Sequence, residues 1–219
     1  MFSQNRKNWN ELDYINADEF YSYQTENDIT GDFFVTISDT FNYYERPIVI
    51  KNSEKKEMVR IEFKDNDIVT IFQSKKYLRN DTLNPLNPWL MSLNPDYFSL
   101  AFECINITSD YYVVKLNENE LGYIDIVNPD FKKVLIEDFV KHWTLSGFDF
   151  DRSTNPLRNE PKENGNIILN PLTKKYKLWR AEALEIKGEW LKVKTVKDEE
   201  GWLKWREGEN ILIRMYYSC

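Results

Sequence analysis

The sequence has few of the residues that build common metal and disulfide centres. Its 219 residues include one histidine, His142, and two cysteines, Cys104 and Cys219. Two isolated cysteines form neither a disulfide framework nor a thiolate zinc site, and one histidine leaves any metal centre dependent on carboxylates. We therefore expect no metal ion and no cofactor. Cys104, within the apolar segment AFECINI, is interpreted as a small buried side chain.

Motifs of the familiar enzyme classes are also missing. GxSxG, GxGxxG and the phosphate-binding loop do not occur. A nucleophilic cysteine needs a lowered pKa, typically at a helix N-terminus beside a histidine. Cys104 instead lies in a predicted strand, and His142 lies in a predicted helix. No two of the 36 acidic residues are singled out for acid–base chemistry. We therefore predict that the protein is not an enzyme and has no catalytic residues.

Glycine, proline and long apolar runs are scarce as well. Seven glycines and eight prolines are too few for a disordered or linker-rich chain. No apolar run approaches the ~20 residues that cross a bilayer, so no transmembrane segment is expected. The 36 acidic and 29 basic residues give a formal charge of −7 without a Lys/Arg block. Such a chain is a poor candidate for binding nucleic acid.

The N-terminal residues, MFSQNRKNWNELDY, become polar at once and show no secretion signal. The sequence as written is expected in the cytoplasm, whereas an upstream signal peptide would direct the protein to the periplasm or the exterior. Loosely helical spacing of aromatic residues predicts an N-terminal arm or short helix over residues 1–30.

What the sequence does contain is a series of short strands. FFVTI, RPIVIK, MVRIEF and DIVTIF, between Phe33 and Phe72, cluster β-branched and aromatic residues between polar turns. Three Asn-Pro pairs at 83–98 predict an ordered loop. Residues 130–146 predict one amphipathic helix, which begins near Asp130 and carries an apolar stripe that includes Leu135, Phe139 and Trp143.

A displacement of 79 residues aligns one stretch with another without a gap. DYYVVKLNENELGYID, 110–125, falls on EWLKVKTVKDEEGWLK, 189–204. Aromatic residues match aromatic residues, apolar residues match apolar residues, and Gly122 matches Gly201. An ordered set of matches of this kind predicts a duplicated structural unit.

Strand alternation assigns faces within the second copy. Leu191, Val193 and Leu203 are predicted on the core face, and the tryptophans and lysines between them on the outer face. In the first copy Tyr111 and Tyr123 replace the two tryptophans. An outer face of this kind predicts a ligand-binding surface, and the alternative is that its rings pack against neighbouring structure. The candidate ligand-binding residues are Trp190, Trp202, Lys192, Lys204, Tyr111 and Tyr123.

The sequence W-x-K-V followed by G-W, after a series of short strands, resembles the bacterial Src-homology-3-like domain. Domains of this family usually open with Asn, an apolar residue and Arg, followed by Pro three residues later. NPLRNEPKENGNIIL, 155–169, matches this opening with Pro156 as an extra residue. The opening of the first copy is placed at 43–61. Because Arg46 and Asn155 are 109 residues apart, the first copy is expected to contain about 30 extra residues, assigned to 64–97.

This resemblance implies a fold, a domain division and a function. The expected fold is mainly β, with two small Src-homology-3-like β-barrels in tandem joined by one amphipathic helix. The expected ranges are 1–30 for the N-terminal arm, 31–128 for the first barrel, 129–151 for the helix and linker, and 152–219 for the second barrel.

Domains of this family often attach enzymes to cell wall or bind short peptides. The resemblance therefore implies non-catalytic recognition of a peptide, a cell-wall glycan fragment or a partner protein. The alternative is an acidic inhibitor or immunity-type protein that blocks a basic enzyme, because excess carboxylates would steer it towards such a target.

Overall fold

A computed structural model describes residues 22–24, 28–64, 67–78, 81–92, 95–144, 148–150, 155–168, 181–195 and 200–217. Within these ranges the protein is mainly β, with antiparallel sheets and one α-helix. The described residues divide into two compact units, 22–136 and 137–217. We name them the first unit and the second unit.

The first unit is built on one antiparallel sheet. Its strands run in the order β1-β7-β8-β9-β10-β3-β4-β5-β6, and β2 pairs with both β8 and β11. A 3₁₀ turn at Pro95–Tyr97 precedes β8. The strands are β1 (Ser22–Gln24), β2 (Phe33–Ile37), β3 (Ile48–Lys51), β4 (Glu57–Lys64), β5 (Asp67–Phe72), β6 (Lys75–Leu78), β7 (Leu90–Ser92), β8 (Leu100–Ile107), β9 (Tyr111–Lys115), β10 (Leu121–Asp125) and β11 (Phe131–Leu135).

β-Branched and aromatic residues of these strands fill the core of the first unit. Because side chains alternate between the faces of a strand, every second residue of β3 and β10 is directed inward. Burial of this apolar surface is the main stabilising contribution to such a fold. The core includes Val35, Ile48, Ile50, Val59, Ile61, Ile68, Phe102, Val114, Leu116 and Ile124.

The second unit contains the helix and the remaining strands. A three-stranded sheet has the order β13-β14-β15, β12 pairs with β18, and β16 pairs with β17. Its buried apolar residues include Leu157, Leu191, Val193, Leu203, Trp205, Ile213 and Met215. The elements are α1 (Ile136–Thr144), β12 (Phe148–Phe150), β13 (Ala181–Lys187), β14 (Trp190–Thr195), β15 (Glu200–Lys204), β16 (Arg206–Glu207), β17 (Asn210–Ile211) and β18 (Ile213–Tyr217).

The predicted helix is shorter than the sequence indicates. Residues 131–135 form β11, which pairs along its whole length with β2, and the helix begins only at Ile136. A partner strand supplied by the tertiary structure therefore overrides the local helical periodicity. Leu135 is 47% exposed, so its predicted place in the apolar stripe is wrong. Phe139 and Trp143 are buried as predicted, and their rings stack 5.4 Å apart.

The 79-residue repeat is present in the strand register. Cys104 lies opposite Val114, and Ala183 lies opposite Val193. All five pairs between β9 and β10 likewise recur between β14 and β15 with each residue number raised by 79. Even the irregularity recurs, because the extra residue of each first strand is Ile105 in β8 and Leu184 in β13. The predicted duplication therefore extends to backbone pairing.

The opening segments of the two copies also correspond. Lys51 of β3 lies opposite Tyr123, and Arg158 forms a bridge to Trp202, the residue equivalent to Tyr123. Lys51 and Arg158 are 107 residues apart, so the predicted equivalence of Arg46 with Asn155 is displaced by two residues. The first unit is thus 28 residues longer between these points. β5, β6 and β7 lie in the extra stretch, within the predicted 64–97 insertion.

Strand pairing does not close either unit into a barrel within the described ranges. The expectation of a mainly β fold with antiparallel sheets is confirmed, and the expected barrels are not. The arm predicted for residues 1–30 lies mostly outside the described residues, but Ser22–Gln24 pairs with Leu90–Ser92. In the part of the chain that is described, no helix has the length and apolar character to cross a bilayer.

Candidate ligand-binding face

The second unit presents aromatic and cationic residues on one face of its three-stranded sheet. Trp190 lies opposite Lys204, and Lys192 lies opposite Trp202. Directly opposed residues of antiparallel strands share a face, so these four side chains lie on the same side. Leu191, Val193 and Leu203 alternate with them and are completely buried. The predicted division into a core face and an outer face is confirmed.

The two tryptophans differ in their access to solvent. Trp190 is half-buried, whereas only 5% of Trp202 is exposed. The Lys187 ammonium lies 5.0 Å from the centre of the Trp202 ring, a cation–π contact that covers this ring. The expected pair of solvent-exposed tryptophans is therefore absent here. Trp202 packs into the unit, which is the alternative that the sequence left open.

The lysines of this face are paired with carboxylates of the same unit. The Lys204 ammonium donates to Glu163 Oε1 at 2.8 Å and to Glu207 Oε1 at 2.6 Å. These hydrogen bonds raise the pKa of Lys204. Lys192 Nζ lies 2.5 Å from Glu200 Oε2, and this contact lowers the pKa of Glu200. A ligand at this face would therefore meet lysines that already have anionic partners.

Asn155 and Arg158 hold the opening segment against β15. The Asn155 side-chain amide donates to the Lys204 carbonyl at 2.6 Å and accepts from the Lys204 amide at 2.9 Å. The backbones of Arg158 and Trp202 exchange two hydrogen bonds of 2.7 Å. The Arg158 guanidinium also donates to the Gly165 carbonyl at 3.0 Å, which fixes the following loop. The Asn and Arg of the opening motif therefore have structural roles in this chain.

The equivalent face of the first unit has more accessible rings. Tyr111 and Tyr123 meet edge to face with their ring centres 6.1 Å apart, and both side chains are half-buried. Tyr111 lies opposite Asp125, and Lys51 Nζ lies 2.6 Å from Asp125 Oδ2. Edge-to-face pairs are a favoured arrangement of aromatic rings. We name Lys51, Lys55, Tyr111, Tyr123 and Asp125 together the tyrosine face.

Lys55 reaches the tyrosine face from the turn between β3 and β4. Its backbone has φ of +65°, and the turn is held by Asn52, whose side-chain oxygen accepts from the amides of Glu54 and Lys56 at 3.0 Å each. Lys55 Nζ lies 5.4 Å from the centre of the Tyr111 ring. The side-chain hydrogen bond with Tyr111 and its charge raise the pKa of Lys55, with smaller effects of Asp110 and Asp125.

Sequence reasoning named only the two tyrosines of this face. Lys51 and Asp125 were missed because their contact requires the pairing of β10 with β3, which are far apart in sequence. Lys55 was missed because its direction depends on a left-handed turn conformation. The repeat itself contains one usable signal, since Asp125 occupies the position of Lys204 beside the equivalent aromatic pair.

A second aromatic cluster lies elsewhere in the first unit. Tyr43 stacks between Tyr44 and Phe63 with ring centres 4.8 and 4.5 Å away, and Phe98 completes the group. The Tyr44 hydroxyl donates to Asp96 Oδ1 at 2.7 Å, and this bond raises the pKa of Tyr44 to about 12. Tyr44 is 56% exposed. Sequence analysis did not identify this cluster.

The residues considered for catalysis are not arranged for it. Cys104 is buried in β8, where its thiol donates to the Asn106 carbonyl at 3.3 Å, and burial raises its pKa. A raised pKa reduces the thiolate fraction that a nucleophile requires. His142 is exposed on α1. No group of three potential metal ligands occurs among the described residues.

Comparisons with models of known protein families, with curated proteins and with solved structures found no match to this chain. The geometry above is therefore the basis for a functional assignment.

Proposed function

We propose that the protein is a non-catalytic recognition module built from two copies of a Src-homology-3-like unit. Its ligand is a peptide, a cell-wall fragment or a partner protein, and the first unit binds it at the tyrosine face. The second unit serves mainly as a folded support.

The repeated strand register supports the duplicated unit. In the second copy, the segment that carries the Asn and Arg of the opening motif pairs with the strand that carries Gly201 and Trp202. Both ends of the motif that resembles the bacterial Src-homology-3-like domain thus meet in space. Such a meeting is expected if the motif specifies a fold.

The observation that carries the binding proposal is the exposure of the tyrosine pair. At the position where Trp202 is buried, Tyr123 is half-buried and touches Tyr111 edge to face. Exposed aromatic rings flanked by charged groups are enriched where proteins bind ligands. Lys51 and Asp125 border the rings and supply groups that can fix the orientation of a ligand.

The test is a titration of the isotope-labelled full chain, followed by NMR, with two probes. One is a soluble muropeptide mixture released from bacterial cell wall, and the other is a pool of random octapeptides. Binding should shift the signals of Tyr111 and Tyr123 first. Tyr111→Ala should weaken binding about 10-fold or more, the effect of removing an aromatic anchor.

Trp190→Ala is the matched control, because Trp190 is the equivalent of Tyr111 in the second copy. It should leave the affinity unchanged. Binding that Trp190→Ala abolishes and Tyr111→Ala does not would assign the site to the second unit. Absence of binding by both probes, with the fold intact by circular dichroism, would overturn the proposal.

A further inference from the structure

We propose that the tyrosine face binds a cationic side chain, guanidinium or ammonium, and that this group replaces Lys55 over the Tyr111 ring. This inference rests on the proposed function and specifies the ligand chemistry of the same site.

The position of Lys55 supports this assignment. Its ammonium lies over the face of Tyr111 at 5.4 Å from the ring centre, within the distance at which a cation is attracted by the ring quadrupole. Lys55 is exposed and belongs to a turn rather than to the sheet. The chain therefore places one of its own cations at the site while leaving that cation free to move into solvent.

The charges around the ring favour a cation over an anion. Asp110 and Asp125 both act on the Lys55 ammonium, and Asp125 is also paired with Lys51 at 2.6 Å. When Lys55 withdraws, two carboxylates and one ammonium remain beside Tyr111. The net negative charge that is left needs a cationic partner, and the overall charge of −7 steers cations towards the protein.

Arginine suits this arrangement better than lysine. A guanidinium can stack on the tyrosine ring and at the same time donate two hydrogen bonds to a carboxylate, whereas an ammonium acts as a point charge. Tyr123 lies against Tyr111 at 6.1 Å and provides a second aromatic surface beside the stem of such a side chain.

The test uses two matched peptides on the full chain, acetyl-Gly-Arg-Gly-amide and acetyl-Gly-citrulline-Gly-amide. Citrulline has nearly the shape of arginine but no charge. The arginine peptide should shift the ring signals of Tyr111 and Tyr123 at millimolar concentration. The citrulline peptide should bind at least about 5-fold more weakly, the difference expected from loss of a cation–π contact and a charged hydrogen bond.

Two lysine variants test the displacement of Lys55. Lys55→Gln removes the competing cation and should tighten binding of the arginine peptide about 2- to 5-fold. Lys75→Gln removes the same charge from β6, the fourth strand away from β10 in the sheet, and should leave the affinity nearly unchanged. Equal effects of the two variants would attribute the change to overall charge and would overturn the inference.

The remaining outcomes separate this inference from the proposed function. Equal binding of both peptides, or no shift with the arginine peptide, overturns the cation site. If muropeptides or octapeptides still bind at Tyr111 and Tyr123 in that case, the recognition function stands. If no probe binds at the tyrosine face, both proposals fail.

Discussion

Gly122 lies opposite Val114 between β9 and β10, and the first unit leaves no room for a side chain on it. A Cβ atom at this position would lie 2.6 Å from Ile50 Cγ2 and 2.9 Å from Leu116 Cδ2. Gly201 has the same register in the second copy, opposite Val193. Its shared identity therefore reflects a strand that crosses over the core face of both units.

The two glycines should differ in their response to alanine. Gly122→Ala should lower the free energy of unfolding by about 1–3 kcal/mol, because it overpacks a tight site. A Cβ at Gly201 would meet Ile168 Cδ1 only at 3.2 Å and the Arg158 carbonyl at 3.4 Å. Gly201→Ala should therefore cost less, roughly 1 kcal/mol or under. Urea unfolding measures both, and a larger loss for Gly201→Ala would contradict the packing described.

Truncation of the two tryptophans should also have unequal effects. Trp202→Ala should destabilise the second unit by about 3–5 kcal/mol, because its ring is 95% buried. Trp190→Ala removes a half-buried ring and should cost roughly half as much or less. Thermal and denaturant unfolding give both values. Equal, small losses would mean that Trp202 is open to solvent.

The corrected boundary of α1 can be tested with two substitutions. Phe139→Ala should cost about 3–5 kcal/mol of stability, since Phe139 is only 6% exposed and stacks on Trp143. Leu135→Ala should cost less than about 1 kcal/mol, because Leu135 is 47% exposed on β11. If the helix instead began near Asp130, Leu135 would belong to the apolar stripe and both losses would be large.

Tyr44 should ionise at unusually high pH. Its hydrogen bond to Asp96 raises the pKa of Tyr44 to about 12. A raised folded-state pKa means that this bond stabilises the protein below the unfolded pKa of about 10, and that the stabilisation is lost as pH rises through about 12. Asp96→Asn should move the pKa of Tyr44 back towards 10, as followed by NMR of labelled tyrosine rings.

Tyr123 provides the control in the same spectrum. It belongs to the tyrosine face, and its titration should not respond to Asp96→Asn. Since Tyr44 is exposed, the associated change in stability should be small, under about 1 kcal/mol. An unchanged titration of Tyr44 in Asp96→Asn would show that the hydrogen bond does not form in solution.

Local sequence patterns were sufficient for part of this structure. The alternation around Trp190 and the spacing of Gly122 and Gly201 predicted strands, faces and a repeat, since strand periodicity depends on residues that are close in sequence. Residues 131–135 were mispredicted because the same apolar spacing fits a helix and a strand. The choice between them depends on β2, almost 100 residues earlier.

The sequence by itself determined that the protein is mainly β, that a unit is duplicated and that aromatic residues line equivalent faces of the two copies. Only the tertiary structure decided which face remains accessible. Whether a ring packs or stays exposed depends on what lies over it, and the cover comes from distant segments: Lys187 lies over Trp202, whereas Lys55 reaches Tyr111 from an exposed turn. Long-range packing of this kind is not encoded in local periodicity.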